Sequence, residues 1–431
     1  MIWNPQAESM ERPARERLQL ERLRDTIRWA VERVSFHRAR IGGVTIGSLE
    51  DLPRLPFVRK SDLRDQYPFG LLAVDRREVA RIHASSGTKG KPTVAPYTAG
   101  DLDIWREVMA RALTAAGACR GDLLHVAFGY GLFTGGFGFH DGAERLGMTV
   151  VPVSSGNSAR HHLLLQDFRP DVLAATPSFA LHLAETMAEQ GGNPRELGLR
   201  VGVFGAEPWT DAIRAALERA FDLAAFDVYG LSEIIGPGVA GECEARDGLH
   251  IADDHFLPEI IDPASGEALP PSREGELVFT TLTKRAMPLV RYRTGDITSL
   301  NLEPCRCGRT SARMARIKGR SDDMLIVKGV NLYPSEVERT LLTMAELAPH
   351  YQLVVDRAAT LARLEVQVEP APELIARCGG FAAEHPEIAA VRRRAAERLR
   401  QATGLSVDLT IVAPRTIPRS EGKAVRVIER G

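Results

Sequence analysis

His83-Ala84-Ser85-Ser86-Gly87-Thr88-Lys89-Gly90-Lys91-Pro92-Thr93 gathers hydroxyl side chains, two glycines and two lysines in a run that cannot continue a helix or strand. Glycine removes the side-chain wall and admits positive φ, so successive backbone N–H groups can close around a phosphate. The hydroxyls add donors, and lysine adds a point charge suited to phosphate. The P-loop of nucleotide triphosphatases is excluded by spacing: Gly87 stands three residues before Gly90, and Pro92 takes the place of the magnesium-binding hydroxyl. A phosphate loop of another class remains, against a plain polar surface loop.

A chain of 431 residues is long enough for two or three domains and a large core. A formal net charge of −1 argues against a nucleic-acid partner. Five cysteines are too few for a disulfide scaffold and point to a reducing compartment. No apolar run reaches membrane-spanning length and the amino terminus lacks a signal-peptide core, so the expectation is a cytoplasmic protein with no membrane partner. The first forty residues place Leu20, Leu23, Ile27, Val31 and Val34 at helical spacing among Arg and Glu, a surface helix packed on the core.

From the opening stretch to Val228, apolar runs alternate with helical patterns. Leu123 to Phe128, Val150 to Val153, Val172 to Ala175, Leu199 to Phe204 and Ala224 to Val228 read as strands. Between them Ile104 to Ala116, Arg160 to Leu165, Phe179 to Glu189 and Asp211 to Arg219 read as helices. The alternation predicts an α/β domain, a mostly parallel sheet covered on both faces, with ligands beyond the carboxyl ends of the strands. The unusual residues fall there: Tyr130 to Gly136, Gly205 to Trp209, and Tyr229 to Glu233. A β-rich subdomain is expected over about 241–310, closing on Arg291 to Asp296. Past Arg320 the order becomes strand, helix, strand, strand, helix, strand, that of a small ferredoxin-like α+β domain. Ser335-Glu336-Val337-Glu338 has the spacing of a capping box. The expected domains are therefore 1–320 and a mobile 321–431.

Cys243 and His250, followed by Cys305 and Cys307 in the same β-rich region, make a Cys₃His set, the ligand count of a closed structural Zn²⁺ site. Buried, inert thiols are the alternative.

Ser85 to Thr93, Tyr229 to Glu233, Arg291 to Asp296 and Arg419 to Lys423 stand in one order along the chain. Together they resemble the adenylate-forming acyl- and aryl-CoA synthetases, most closely the phenylacetate–CoA ligase branch. The resemblance implies a reaction with ATP and Mg²⁺ that makes an acyl adenylate, then a thioester with coenzyme A. It implies that Ser85, Ser86, Gly87, Thr88, Lys89, Gly90 and Lys91 cradle the β- and γ-phosphates and that Glu233 helps hold Mg²⁺. Asp296 would accept the ribose hydroxyls, and Tyr229 would pack on adenine within Gly205, Ala206, Glu207 and Asp227. Gly230, Ser232 and Arg320 complete the nucleotide set, and Lys423 would bridge carboxylate and α-phosphate. Tyr130, Phe133, Gly135, Ile235, Gly236 and Pro237 lie in segments that line the family's aryl site. Asp322 matches the hinge, and Gly329 the passage for the CoA thiol. Lys89 departs from the family, where Thr is usual. The partners implied are an aryl acid and CoA, and the sequence leaves room for a homodimer. Two alternatives stand beside this reading: adenylation followed by transfer to a carrier protein, and a nucleotide-binding relative without catalysis.

Overall fold

Val, Leu and Ala fill the short runs that become the parallel centre of a nine-stranded sheet. The computed structural model describes every residue except 86–91, 322–323, 328–329, 357–362, 421, 423 and 431. Strand Leu123–Val126 pairs in parallel with Thr149–Pro152 on one side and Val172–Ala175 on the other. Val201–Gly205 and Ala224–Leu231 continue the parallel run. All four residues of Val172–Ala175 are buried, whereas Thr149–Pro152 is partly exposed because it is the edge strand. A continuous apolar strand is what burial on both faces demands. Core residues Leu124, Val126, Val172, Ala174, Val203 and Phe226 pack with Met109, Leu113 and Phe139 of two helices, Ala99–Ala115 and Gly135–Leu146.

The predicted β-rich stretch divides between two sheets. Gly236–Glu242 turns back antiparallel on Ala224–Leu231, and Leu249–Ile251, Arg313–Met314 and Leu300–Asn301 extend the large sheet from there. Phe256–Ile261, Gly275–Thr281 and Tyr292–Thr298 form a separate antiparallel ribbon. The tight reversal at 232–235 explains the division: an antiparallel hairpin leaves a sheet edge open to further strands without a crossover helix. At the amino terminus, helix Arg12–Arg33 buries Leu23, Ile27 and Ala30, following the predicted spacing.

By contacts the chain forms two units that do not follow chain order. The first holds Met1–Ala175, Glu196–Ala206 and Leu223–Arg316; the second holds Thr176–Arg195, Glu207–Asp222 and Ile317–Gly431. In the second unit a four-stranded sheet runs Asp408–Ile411, Arg363–Pro370, Leu347–Asp356, Val427–Arg430. Helices Pro334–Leu341 and Pro386–Thr403 supply Val337, Leu341, Ile388, Val391, Ala395 and Leu399 to its core. The first strand of this domain, expected from Met324 to Lys328, is seen as Leu325–Val327 and pairs with Val330–Leu332. The four-stranded sheet is completed instead by Val427–Arg430, parallel to Leu347–Asp356. The predicted cap shifts too: the helix starts after Tyr333, whose N–H donates to Glu336 Oε2 at 3.2 Å, and Ser335 Oγ donates to the Lys318 carbonyl.

Candidate active site

Glu233 sits in the reversal between Ala224–Leu231 and Gly236–Glu242. The crossing requires glycine at two places. A Cβ on Gly230 would lie 1.7 Å from the Gly236 carbonyl oxygen. Gly236 has φ +111°, and its Cβ would meet the Trp105 ring at 2.4 Å. A side chain at either position would force the turn open. Tyr97 pins the reversal from below, its hydroxyl donating to the carbonyls of Ser232 at 2.9 Å and Ile235 at 3.3 Å. Ser232 Oγ lies 3.2 Å from Thr134 Oγ1. The Glu233 carboxylate is buried, with Lys60 Nζ 3.9 Å away.

Asp296 lies in strand Tyr292–Thr298 and is also buried. The Tyr229 hydroxyl donates to its Oδ2 at 2.6 Å, so two residues far apart in sequence meet at one carboxylate. The Asp227 N–H donates to Glu242 Oε2 at 2.8 Å, and its own carboxylate is 3.8 Å from Arg316. A Cβ on Gly205 would lie 2.2 Å from the Val228 carbonyl oxygen. Ala206 has φ +70°, a strained conformation for a residue with a side chain and one that tends to occur at ligand clamps. Glu207 belongs to the second unit, where its carboxylate accepts from the N–H groups of Ser178 at 2.7 Å and Ala424 at 2.8 Å. Both its oxygens are therefore already bonded to backbone. Arg320 lies on the short strand Gly319–Arg320.

The opening stretch is partly strand: Val79–Ser85 pairs with Thr93–Thr98, bringing Ser85 opposite Thr93. His83, Ala84, Ser85 and Thr93 are thus ladder residues and not loop. Ser86, Gly87, Thr88, Lys89, Gly90, Lys91, Asp322, Gly329 and Lys423 lie outside the described residues.

The aromatic wall differs from the sequence reading. Phe133 is 51% exposed. Phe137, one helical turn on, makes an edge-to-face contact with Tyr130 at 5.2 Å and faces His83 at 5.6 Å. Tyr97 and Trp105 stack at 5.3 Å, and His83 stands edge-on to both. Trp105 Nε1 donates to the Pro237 carbonyl at 2.9 Å, tying this cluster to the Glu233 turn. Burial lowers the His83 pKa, which keeps the ring neutral. Gly135 abuts Phe128, and Ile235 is fully buried. Trp105 had a legible signal, since Leu102, Trp105 and Met109 are spaced as one helical face.

The cysteine–histidine set converges. Ligand atoms of Cys243, His250, Cys305 and Cys307 all lie within 4.8 Å of one another. Two Zn–S bonds of about 2.3 Å at a tetrahedral angle separate the sulfurs by about 3.8 Å; Cys243 and Cys305 Sγ are 3.8 Å apart. Cys307 Sγ is 3.4 Å from His250 Nε2, close to the matching S–N edge. His250 Nδ1 meets Ser311 Oγ at 3.3 Å, the outer contact that orients a ligating imidazole. Burial lowers the His250 pKa, leaving a neutral ring with a lone pair to give. The donor set and spacing fit zinc.

Comparison with known proteins agrees with this geometry. The AMP-binding enzyme family profile covers residues 44–282, and the AMP-binding enzyme C-terminal domain profile covers 329–430. Phenylacetate-coenzyme A ligase of Thermus thermophilus is 51% identical, over 99% of this chain and 98% of that protein. The Escherichia coli phenylacetate-coenzyme A ligase is 48% identical, over 96% and 94%. The crystal structure of 2-hydroxyisobutyryl-CoA ligase in the postadenylation state with 2-HIB-AMP superposes with a TM-score of 0.93 at 31% identity, over 100% of this chain and 92% of that one. The chain belongs to the phenylacetate–coenzyme A ligase branch of the adenylate-forming enzymes, the AMP-forming acid–coenzyme A ligases.

Proposed function

We propose that the acid is a phenylacetate-class aryl acid and that free coenzyme A is the acceptor. The observation that carries the first part is the ring cluster of Tyr97, Trp105, His83, Phe137 and Tyr130 around the Glu233 turn. Aromatic faces and edges favour a planar ring over an alkyl chain. The identity to phenylacetate-coenzyme A ligases supports it as well, and supports coenzyme A over a carrier protein.

MgATP enters as substrate. A carboxylate oxygen of the acid bonds to the α-phosphorus as the bond to pyrophosphate breaks. The thiol sulfur then bonds to the acyl carbon, loses its proton, and AMP departs with the former carboxylate oxygen. Charge grows on phosphate oxygens, so fixed donors and cations contribute most of the rate. In this reading the stretch from Ser85 to Lys91 meets the phosphates, Glu233 meets magnesium, and Asp296 meets the ribose. Tyr229 is then a hydrogen-bonding support for Asp296, which the observed contact favours over a role confined to stacking. Lys423 serves adenylation, Asp322 is the hinge and Gly329 lines the thiol path, each by position in the family pattern.

Cys243, His250, Cys305 and Cys307 hold a structural zinc ion in this proposal, which leaves no open position for chemistry. Elemental analysis should find about one zinc per chain, and its removal should lower thermal stability before it lowers the rate.

Pyrophosphate release across a panel of acids tests the main claim. Phenylacetate, benzoate and ring-substituted relatives should outrun acetate, 2-hydroxyisobutyrate and palmitate. A best rate with any of the last three would overturn it. Product trapping with coenzyme A against a phosphopantetheinyl carrier protein tests the acceptor.

A further inference from the structure

One buried cation has no part in the chemistry above. Lys284 is 1% exposed, yet no carboxylate oxygen among the described residues lies within 4.0 Å of its Nζ. Taking an ammonium out of water costs several kcal/mol unless something compensates. Its partners are a carbonyl and a ring: Nζ donates to the backbone oxygen of Glu233 at 3.0 Å and stands 4.5 Å over the Tyr97 ring. Both belong to the reversal that carries the Glu233 carboxylate.

The loop that delivers Lys284 is held from several elements at once. Thr26 Oγ1 donates to the Leu282 carbonyl and Trp29 Nε1 to that of Arg285. Asp101 accepts from the N–H groups of Arg285 and Ala286 at 2.6 and 3.0 Å. Ala73 N–H donates to the Ala286 carbonyl, His37 Nε2 to that of Pro288, and Thr283 Oγ1 meets His255 Nδ1. A long, flexible side chain is thereby mounted on an immobilised base. With Tyr97, it fixes the carbonyls of Ser232, Glu233 and Ile235 within one four-residue turn.

We propose that Lys284, assisted by Tyr97, is the positioning residue for Glu233, holding the turn so that its carboxylate meets MgATP without further ordering. Preorganisation of this kind is what a group acting on developing phosphate charge requires. The inference rests on the reading of Glu233 as the magnesium-facing residue.

The test is made on the full-length enzyme and three variants, Lys284→Met, Tyr97→Phe and Glu233→Gln: ATP–pyrophosphate exchange over ranges of magnesium, ATP and acid, and thioester formation over a range of coenzyme A. Lys284→Met should raise KM for MgATP about tenfold, with KM for acid and coenzyme A within about twofold of the parent. Tyr97→Phe, which keeps the ring and loses two hydrogen bonds, should move the same constant by less. It carries the test if Lys284→Met does not accumulate folded. An unchanged MgATP constant, or equal changes in all three constants, overturns the proposal. If Glu233→Gln itself leaves the MgATP constant unchanged, the role of Glu233 is what fails; if it shifts while the other two variants do not, only the role of Lys284 fails.

Discussion

Two groups of buried charge in the first unit are built on opposite plans. Around the amino terminus three buried arginines each meet an acid. Arg15 is paired with Asp253, Arg111 with Asp254 at 2.8 Å, and Arg309 with Glu8 at 2.5 Å. Burial pushes Asp254 up, but His255, Arg111 and Arg22 together outweigh it and hold its pKa below the usual carboxylate range. Beneath the Glu233 turn, Lys284 meets a carbonyl and a ring and no carboxylate within 4.0 Å among the described residues, and burial pulls its pKa down to about 8 against the weaker opposing pull of Asp101 and Glu233. A paired network stabilises the fold around it. An unpaired cation costs stability, and such costs persist where the group serves something else.

The sharpest way to break the contrast is to cut the paired network. Asp254→Asn takes one of two carboxylates from buried Arg111, leaving Glu107 at 3.4 Å, and should cost up to about 3–5 kcal/mol of unfolding free energy. The turnover of the protein that remains folded should be unchanged. Denaturant melts paired with active-site titration check both halves; a loss of turnover without a loss of stability would erase the distinction.

Tyr229→Phe probes the other side. It removes one hydrogen bond to the Asp296 carboxylate, a charged acceptor, so about 1.5–3 kcal/mol is at stake. That should appear as a raised KM for ATP with a melting temperature close to the parent's. A large drop in melting temperature with unaltered ATP kinetics would move this pair into the structural class.

A third test is in pH. Burial lowers the pKa of His37 to about 4, of His125 to about 3 and of His161 to about 4. A lowered folded-state value means that the neutral ring is favoured in the native protein. The stability it confers is present above the unfolded value of 6.5 and is lost as pH falls through the folded values. Each such histidine adds a slope of about 1.4 kcal/mol per pH unit between those limits. Unfolding free energy should therefore decline from pH 6.5 toward pH 4, and His37→Gln should flatten the decline by about one proton. A flat profile in the parent protein would contradict the burial argument.

Much of this protein was legible in order along the chain. The apolar runs at 123–128, 172–175 and 199–204 predicted parallel strands because a strand buried on both faces has no polar choice. The glycines at 205, 230 and 236 were named as site residues by the family pattern alone, and the structure supplies the reason for them: nothing larger fits where one backbone meets another or a tryptophan ring. Three cysteines and a histidine named a metal set, since their chemistry does not depend on which strands carry them. What tertiary structure alone decided was partnership. No local pattern says that Phe137 joins the aromatic cluster while Phe133 faces solvent, that Leu325–Val327 pairs with Val330–Leu332 apart from the four-stranded sheet, or that Tyr229 bonds to Asp296. Lys284 is the plainest case. In sequence it is one of seven lysines, and a solvated surface position is the ordinary expectation. Its burial beneath Glu233 exists because a loop held from the amino-terminal helix, helix Ala99–Ala115 and the antiparallel ribbon converges on one turn. Periodicity records how much water a residue will lose; which residue replaces the water is settled by contacts between segments far apart in the chain.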